Sequence, residues 1–547
     1  MNTNQYEMIP DEDVTPMSRL ITNKMKKSTK YRILMFTAIV FVLAIFAILA
    51  WRSYMSYEHT VRIYQTFMEQ PTKGMLPVDM NSMPRLDSDG ISRLSFGNIK
   101  CDDVQCPLNA RLYVDSSKTY QEVIGFGGAF TEATAINYSK LPQHIKDKVI
   151  QLYFGADGIA LTLGRISINS CDFSLQSYSF DDIAGDYDLL FFDTEVTHDN
   201  AYIIPLIRLA METSSLPIKI VASPWSPPSW MKNPVSGSIN SSILGSASPN
   251  GLKDDPQTKT AWARYISKFI TAYRYKGVPI WAITPQNEPE FPAPWEACTY
   301  TSTYEKMFIE KYLGPQLRND HPELKILAFD HNKDHLLQWT RTIISGDTEK
   351  YVDGMAFHCK LYIHGLSPIE ALLNNLLNCV STGYGGADRI TDGTYGYDSI
   401  NASHHYAPGA ILLATEGCSC PGVALHNWLR AERLGHDVMF DLQNYAQGWI
   451  DWNLLVDYQG GLNHLHNYCD ASLVADEDFG DVTIQPKFYY LGHFSKFVLP
   501  GSVRISSSVR GDYGFQVMVR TYWMDSLIVC VRVIDCYGAC TVCCLYR

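Results

Sequence analysis

Three short motifs that mark common catalytic chemistries are missing from this chain of 547 residues. It has no H-E-x-x-H pair, the zinc-binding motif of many metalloproteases, and no G-x-S-x-G turn, which carries the nucleophilic serine of α/β-hydrolases. No G-x-G-x-x-G follows an early apolar run, which disfavours an open dinucleotide-binding sheet. The sequence therefore gives no support to zinc-protease chemistry or to a Ser–His–Asp triad, and we predict that the protein needs no cofactor.

Positive charge is scarce outside the N-terminus. The formal net charge is −12 and the pI is about 5.7, so no strong positive field attracts phosphates, and we predict no nucleic-acid partner. Cysteine is plentiful, with fourteen residues, but Cys418, Cys420 and the tail cysteines lack the histidine-accompanied spacing of a metal finger. We therefore predict no metal site. The tail cysteines are Cys530, Cys536, Cys540, Cys543 and Cys544.

Charged residues are absent from one stretch near the N-terminus. Residues 33–51, "ILMFTAIVFVLAIFAILAW", are uncharged and would span roughly 28 Å as a helix, about the thickness of a hydrocarbon core. Six Lys or Arg residues precede this stretch closely, so the positive-inside rule places residues 1–32 in the cytosol and the rest in a lumen or outside. A cleaved signal peptide is the alternative, but its apolar core is usually shorter, and "AWRSYMSYEH" lacks a small-x-small cleavage site. We favour an uncleaved anchor of a single-pass type II membrane protein.

Two further features agree with an oxidising lumen. Cys101 and Cys106 are close enough in sequence for a local disulfide, and Asn137, Asn240 and Asn401 begin N-x-S glycosylation sequons. We therefore expect a disulfide-containing glycoprotein, in a lysosomal or other endomembrane lumen or outside the cell.

The rest of the chain divides by pattern. Residues 52–91 have the composition of a stalk, and residues 92–121 contain short strand-like runs. Across 122–455, eight apolar β-like runs alternate with amphipathic helical ones, which predicts a parallel sheet closed as a (β/α)8 barrel, with an open doubly wound sheet as the alternative. Residues 456–547 return to strand-like material, so we expect 92–121 and the C-terminal part to form a small β domain.

Glutamates end two of the predicted barrel strands. Glu288, beside Asn287 in "WAITPQNEPE", ends the fourth strand, and Glu416 ends the seventh, "AILLATEGC". Functional residues of such barrels lie at the C-terminal ends of the strands, so both would face one cavity. Cleavage of a glycosidic bond needs such a pair, and a separation of about 5–5.5 Å would specify retention. We assign Glu288 as acid/base and Glu416 as nucleophile, with Asn287 placed to bond the sugar 2-hydroxyl. For either glutamate alone, a solvated or ion-paired side chain is the ordinary explanation.

Several longer motifs carry a family resemblance. "VIGFGGAFTEATA", "RISINSCDFS", "VASPWSPPSWMK", "WAITPQNEPE", "LLATEGC", "GWIDWNLLVDYQGGLNH" and "QPKFYYLGHFSKFVLPGS" resemble the glucosylceramidases (acid β-glucosidases) of glycoside hydrolase family 30. The resemblance implies a (β/α)8 barrel with a β-sandwich domain and hydrolysis of β-glucosides with retention. It implies the same two glutamates in the same roles, Arg165 as a supporting cation, His358 at the end of strand six, and a sugar-binding set of Asp172, Trp225, Asn287, Trp452 and Asn467.

The sequence departs from the family in three places. After His358 the family usually has Trp–Tyr, with the tyrosine able to bond the nucleophile, whereas Cys359 and Lys360 follow here. The segment 361–409 is longer than the family needs, and the resemblance ends after about residue 508.

The combined expectation is a membrane-anchored, lumen-facing retaining β-glucosidase that hydrolyses glucosylceramide. Its substrate would be a glycosphingolipid in a membrane, with a saposin-like activator as a possible partner. Two alternatives remain: a β-1,6-glucanase or xylanase of the same family, and an inactive membrane-tethered glycan-binding protein, suggested by the missing Trp–Tyr and the unusual tail.

Overall fold

The computed structural model describes most of the chain after residue 109. It covers residues 110–234, 241–245, 251–358 and 396–510, and the backbone of further strands at 62–65, 76–77, 93–96, 99–101, 104–106, 515–522, 526–534 and 540–546. The predicted cytosolic tail (1–32) and anchor (33–51) lie outside these residues. None of the helices within the described ranges has the length and apolarity that crossing a membrane requires.

Eight parallel strands close into a barrel, which confirms the central fold prediction. Each is an apolar run that is almost entirely buried, as expected when helices cover the outside and side chains fill the inside. In chain order the barrel strands are Gly125–Ala129, Leu163–Ile168, Lys219–Pro224, Ile280–Ile283, Lys325–Asn332, Gly354–His358, Ile411–Gly417 and Gly448–Asn453. We refer to them as barrel strands one to eight.

The barrel interior is a packed layer. Seven strands, from the second to the eighth, each contribute one buried residue to a single apolar cluster, which consists of Leu163, Val221, Ala282, Leu327, Ala356, Leu413 and Ile450. This layer fills the barrel below the site, so substrate can reach the strand ends only from the C-terminal face.

Helices surround the barrel. The longest helix in the described ranges is Pro256–Tyr275: Asp255 caps it by accepting from the Thr258 amide at 2.8 Å, and proline occupies its first turn. The other α-helices in these ranges are Glu132–Lys140, Gln143–Phe154, Thr197–Ala201, Ile203–Thr213, Ser302–Phe308, Gly314–Asp320, Leu336–Ile343, Tyr397–Tyr406, Trp428–Gln443 and Pro486–Ser495. A π-helical turn spans Ile309–Leu313, and 3-10 turns span Ser229–Met231, Lys333–His335 and Gly346–Lys350.

A second sheet joins the two ends of the described chain. Its eight antiparallel strands run in the order 76–77, 62–65, 540–546, 526–534, 515–522, 503–510, 110–122 and 93–96. The pairing of 93–96 and 110–122 with C-terminal strands agrees with the expected β domain. A face-to-face sandwich stays a prediction, as do the domain boundaries.

The structure differs from the sequence prediction in two segments. Strands 62–65 and 76–77 fall within the predicted stalk, where 62–65 pairs with strand 540–546 and so satisfies that strand's backbone groups. The predicted C-terminal β region 456–547 contains the helix Pro486–Ser495, which is buried along its whole length. The same region also holds a small sheet of strands Leu455–Val456, Leu473–Ala475 and Val482–Ile484. A two-stranded hairpin joins Ile99–Cys101 to Val104–Cys106.

Candidate active site

Glu288 does not end barrel strand four, as the sequence predicted, but lies in the loop after it, five residues beyond the strand end at Ile283. Two backbone bonds fix this loop: the Asn287 amide donates to Pro224 O at 2.8 Å, and the Glu288 amide donates to Asp330 O at 3.0 Å. Glu288 has a φ of 45°, in the left-handed region that non-glycine residues rarely occupy. Such strained backbone is typical of functional sites, where the surrounding structure holds it in place.

Glu416 lies within barrel strand seven, beside His358 of strand six in the register. The residue after it must be glycine, because a Cβ on Gly417 would lie 2.2 Å from the Trp449 ring. The indole therefore packs directly on the backbone that carries Glu416. Both glutamate side chains are nearly buried, with 5% of each residue exposed.

The two glutamates converge as the strand count predicts. One oxygen of Glu288, one ring nitrogen of His358 and one oxygen of Glu416 all lie within 4.8 Å of one another. Carboxylate oxygens and an imidazole nitrogen are also atom types that can bind a metal ion. At this position, however, the buried guanidinium of Arg165, 2.7 Å from Glu416 Oε2, already supplies the positive charge that a metal ion would bring.

Arg165, on barrel strand two, is the central cation of the site and is fully buried. Its Nη2 donates to Asp330 Oδ2 and to Asn287 Oδ1, both at 2.8 Å, while Nη1 donates to Glu416. Because arginine only donates, Asn287 must present its carbonyl oxygen to Arg165, which leaves its amide nitrogen for another acceptor. Burial would lower the pKa of Arg165, but Asp330 and Glu416 outweigh it and raise that pKa.

Asp330 and His358 complete this charged cluster. His358 Nε2 lies 2.9 Å from Asp330 Oδ1, and its Nδ1 lies 3.1 Å from Glu288 Oε1. Burial acts to lower the pKa of His358, but Glu416 and Asp330 raise it to about 9, so the ring is an imidazolium at neutral pH. Burial acts to raise the pKa of Asp330, but Arg165 and His358 hold it far below its ordinary value.

Asp172 lies in the loop after barrel strand two, and amides rather than cations hold its carboxylate. Asn467 Nδ2 donates to Asp172 Oδ2 at 2.8 Å, and Asn463 Nδ2 donates to the same oxygen at 3.1 Å. Burial raises the pKa of Asp172 to about 7, and the two amide bonds offset only part of this shift. The second oxygen, Oδ1, is available for a ligand hydroxyl.

Two tryptophans form an apolar wall between these groups. Trp225, after strand three, and Trp452, on strand eight, stack with ring centroids 5.4 Å apart. The Arg165 guanidinium lies 4.8 Å from the Trp225 ring centroid, a cation–π contact that orients both groups. Phe173, next to Asp172, packs edge-on against Trp452 at 5.8 Å. Indole faces of this kind suit the C–H groups of a sugar ring.

The structure therefore brings all nine residues selected from the sequence to the C-terminal face of the barrel, although their roles stay predictions. Sequence reasoning missed Asp330 and Asn463. Asp330 could have been found, because it is an acidic residue within the buried run "KILAFDHN" of barrel strand five. Asn463 carried no signal of its own. Cys359 and Lys360, which stand where the family has Trp–Tyr, lie outside the described residues, as does segment 361–395.

The expected covalent features are confirmed in one respect, since the structure contains a disulfide, although at another place than expected. A disulfide joins Cys420 to Cys469, a pairing that the sequence did not predict, and links the loop after strand seven to the loop after strand eight. Asn137 is fully buried and donates to Gly461 O at 2.7 Å, so its sequon cannot carry a glycan in the folded protein. Asn240 and the side chains of Cys101 and Cys106 lie outside the described residues.

Known proteins resemble this chain over most of its length. Residues 123–375 and 388–498 match the glycosyl hydrolase family 30 TIM-barrel domain. Mouse lysosomal acid glucosylceramidase is 32% identical over 423 residues, 76% of this chain and 75% of that protein. The endo-1,6-β-D-glucanase of Aspergillus fumigatus is 27% identical over 446 residues, 77% of this chain and 81% of the relative.

A solved structure, that of SrfJ from Salmonella typhimurium, superposes with a TM-score of 0.69 at 25% identity, covering 89% of this chain and 99% of that one. The expected family resemblance is confirmed. The chain is a glycoside hydrolase and belongs to glycosyl hydrolase family 30.

Proposed function

We propose that this glycoside hydrolase is a retaining β-glucosidase in which Glu416 is the nucleophile and Glu288 the acid/base. The observation that carries this proposal is the approach of their carboxylate oxygens to within 4.8 Å. Retaining glycosidases hold their two carboxyl groups about 5–5.5 Å apart, whereas inverting ones leave about 6.5–9.5 Å for a water molecule. The short separation supports direct attack of one carboxylate on the sugar.

The charges around the pair support this division of roles. Arg165 and His358 are two cations that face three carboxyl groups, so the cluster is neutral when one carboxyl holds a proton. Arg165 bonds to both Asp330 and Glu416, whereas the cation beside Glu288 is His358, which Asp330 shares. We therefore take Asp330 and Glu416 as the ionised carboxylates, because pairing with a cation stabilises a buried carboxylate. We assign the proton to Glu288.

The reaction then proceeds in two balanced steps. Glu416 attacks the anomeric carbon as the glycosidic bond breaks, and Glu288 gives its proton to the departing oxygen. Glu288 next takes a proton from water, whose oxygen attacks the anomeric carbon and releases glucose and the Glu416 carboxylate. In the intermediate Glu416 is a neutral ester and Glu288 is ionised, so the net charge beside Arg165 and His358 stays constant throughout.

Recognition of the sugar falls to the residues around this pair. The Asn287 amide nitrogen, left unused by Arg165, is oriented by that bond and would donate to the 2-hydroxyl. Asp172 Oδ1 would accept from hydroxyls at the far end of the ring, and Asn467 would hold Asp172 in place. Trp225 and Trp452 would cover the apolar ring face.

We propose glucosylceramide as the substrate, because the chain resembles a lysosomal acid glucosylceramidase over three quarters of its length. The apolar segment 33–51 would anchor the protein as a type II membrane protein, facing a lysosomal or other endomembrane lumen or the cell exterior. A saposin-like activator would present the glycosphingolipid, and the sheet that joins both chain ends would belong to a β-sandwich domain. A β-1,6-glucan is the second candidate substrate, favoured by the comparable coverage of the fungal glucanase.

One experiment separates these possibilities. The full chain, purified in detergent, is treated with a 2-deoxy-2-fluoro-β-glucoside and the labelled peptide is sequenced by mass spectrometry, and hydrolysis of glucosylceramide is compared with that of a β-1,6-linked glucan. Label on Glu416 and release of glucose from glucosylceramide are the expected results. Glucan as the preferred substrate would replace glucosylceramide. Folded protein that neither takes the label nor hydrolyses any β-glucoside would refute the enzyme proposal and favour a glycan-binding role.

A further inference from the structure

Two buried polar atoms close to Asp172 have no hydrogen-bond partner: Glu296 Oε2 and His464 Nε2. Glu296, in the loop after barrel strand four, is 1% exposed. His464 lies in the loop after strand eight, between Asn463 and Asn467, the two residues that hold Asp172. Neither residue has a role in the mechanism above. Unpaired buried polar atoms are uncommon in native proteins and call for a physical explanation.

The protonation of His464 Nδ1 follows from its neighbours. This nitrogen lies 3.1 Å from Asp172 O and 3.1 Å from Ser174 O, and both are carbonyl oxygens that can only accept. Nδ1 must therefore carry a hydrogen and donate it. The His464 backbone amide also donates to Asp172 O at 3.2 Å, so ring and backbone together tie this loop to the segment that carries Asp172.

The other ring nitrogen faces a carboxylate. His464 Nε2 lies 3.5 Å from Glu296 Oε1, which also accepts from Ser170 Oγ at 2.8 Å and from Ser177 Oγ at 2.7 Å. With Nδ1 already protonated, a neutral imidazole would point a lone pair at this carboxylate, and the two would repel. A proton between Nε2 and Glu296 turns that repulsion into a charge-assisted hydrogen bond.

We propose that Glu296 and His464 are positioning residues that share this proton and hold the loop 463–467 against Asp172, so that Asn463 and Asn467 fix the carboxylate that binds the sugar. The inference rests on the proposed function, because it takes Asp172 as a sugar-binding group. It assigns Glu296 and His464 to substrate affinity and discrimination among sugars rather than to bond cleavage.

Loss of this contact should loosen the loop 463–467 and weaken its hold on Asp172. Because neither Glu296 nor His464 takes part in bond cleavage in the mechanism above, we expect KM to rise while kcat changes little.

The test compares His464→Asn and Glu296→Gln with two matched controls, using the full chain and an aryl β-glucoside. Asparagine keeps a donor near the position of Nδ1 but lacks Nε2, so H464N should raise KM about tenfold with kcat within about threefold of wild type. The glutamine amide introduced by E296Q can donate to the Nε2 of a neutral ring and preserve the contact, so E296Q should keep KM within about threefold of wild type. Glu296→Ala, which removes the contact, should raise KM about tenfold with kcat within about threefold of wild type. His466→Asn, in the same loop, and Glu477→Gln, in an exposed turn, should match wild type.

Several outcomes would overturn the inference: an unchanged KM in H464N, a fall in kcat alone, or a KM in Glu296→Ala that equals the values in E296Q and wild type. The comparison of Glu296→Ala with E296Q remains decisive if H464N does not fold, because glutamine has the shape of glutamate and keeps a group that can bond to Nε2. A second readout is the ratio of kcat/KM for the β-glucoside to that for the β-galactoside, which should fall in H464N. A wild-type protein that hydrolyses no β-glycoside would refute the proposed function, whereas an active wild type with unaffected variants would refute this inference alone.

Discussion

Two buried aspartates of the pocket, Asp330 and Asp172, have opposite electrostatic environments. Both are almost inaccessible to solvent, and burial pushes the pKa of each upward. Arg165 and His358 reverse that effect at Asp330 and hold its pKa far below the ordinary value. The neutral amides of Asn463 and Asn467 bond to the carboxylate of Asp172, and its pKa remains raised, at about 7. The pairing partner, not the depth of burial, decides the charge of a buried carboxyl.

This contrast divides the site into two halves. The cation-paired half consists of Glu288, Glu416, Arg165, Asp330 and His358, whose ionic bonds fix the charges that the chemistry needs. The amide-held half consists of Asp172, Asn463 and Asn467, whose bonds fix geometry. We therefore expect substitutions in the first half to act mainly on kcat, and substitutions in the second half to act mainly on KM.

The largest effect should come from Glu416→Gln in the cation-paired half. Glutamine keeps an oxygen for Arg165 but cannot bond to the anomeric carbon, so kcat should fall by about four orders of magnitude or more. Glu288→Gln should lower kcat by about 10²–10⁴-fold. The loss should be smallest for substrates whose phenolic leaving group is acidic enough to depart without a proton. Steady-state hydrolysis of aryl β-glucosides measures both.

Asn467→Ala is the matching change in the amide-held half and should raise KM more than it lowers kcat. Wild-type rates in E416Q would contradict the nucleophile assignment. A fall in kcat without a change in KM for N467A would contradict the division into halves.

Asp330→Asn should have the next largest effect, this time on stability. It removes the anion that Arg165 and His358 share and leaves Glu416 and Glu288 to balance these two buried cations, a defect of about 3–5 kcal/mol in the free energy of unfolding. Urea denaturation measures it. The control is Asp481→Asn, which removes the exposed partner of Lys148 and should change stability by about 1 kcal/mol or less. Equal stabilities of D330N and wild type would show that the cation pairing is not what holds this half together.

Sequence patterns predicted the barrel and the cation-paired half better than the amide-held half. Strands buried on both faces leave unmistakable apolar runs, and counting them placed Glu288 and Glu416 on the same face. The barrel fixes the positions of the strand ends, so residues on or near them can be placed from the strand count. Asp330 lies on barrel strand five and could have been placed in the same way.

The amide-held half depends on long loops, whose paths no periodicity encodes. Asn463 reaches Asp172 from the loop after strand eight, and Cys420 meets Cys469 across 49 residues of sequence. The buried helix 486–495 was missed because its aromatic-rich sequence is equally typical of strands. Its one signal is Pro486 at the first helical position.

The pH dependence of stability sharpens the contrast between the aspartates. The folded-state pKa of Asp172, about 7, lies above the ordinary value near 3.8. Its contribution to stability is therefore fully present below about pH 4 and is lost as the pH rises through about 7. The loss amounts to about 4 kcal/mol at most. Asp172→Asn removes it, so the stability of D172N relative to wild type should increase between about pH 4 and 7.

Thermal or urea unfolding across this range measures the difference, with exposed Asp478→Asn as the control. For Asp330 the sign is opposite, because its pKa is depressed: its contribution is present above the ordinary pKa and disappears only in strong acid. Parallel pH profiles for D172N and wild type would mean that Asp172 is not the group that protonates in the neutral range.

The Cys420–Cys469 disulfide should produce the smallest effect, and one confined to the amide-held half. It joins the loop that follows Glu416 to the residue two positions after Asn467, so it limits how far the loop 463–467 can move away from Asp172. The double variant Cys420→Ser/Cys469→Ser should lower the free energy of unfolding by about 3 kcal/mol and should raise KM. Its kcat should stay near that of wild type, because the contacts of Arg165, Asp330 and His358 are unchanged. Mild reduction of the wild type should reproduce both changes, and the double variant should be insensitive to reductant, which excludes an effect through another cysteine. If kcat fell by the same factor as KM rose, a change in the amide-held half would also disturb the cation-paired half. The assignment of kcat to one half and of KM to the other would then not hold for this pocket.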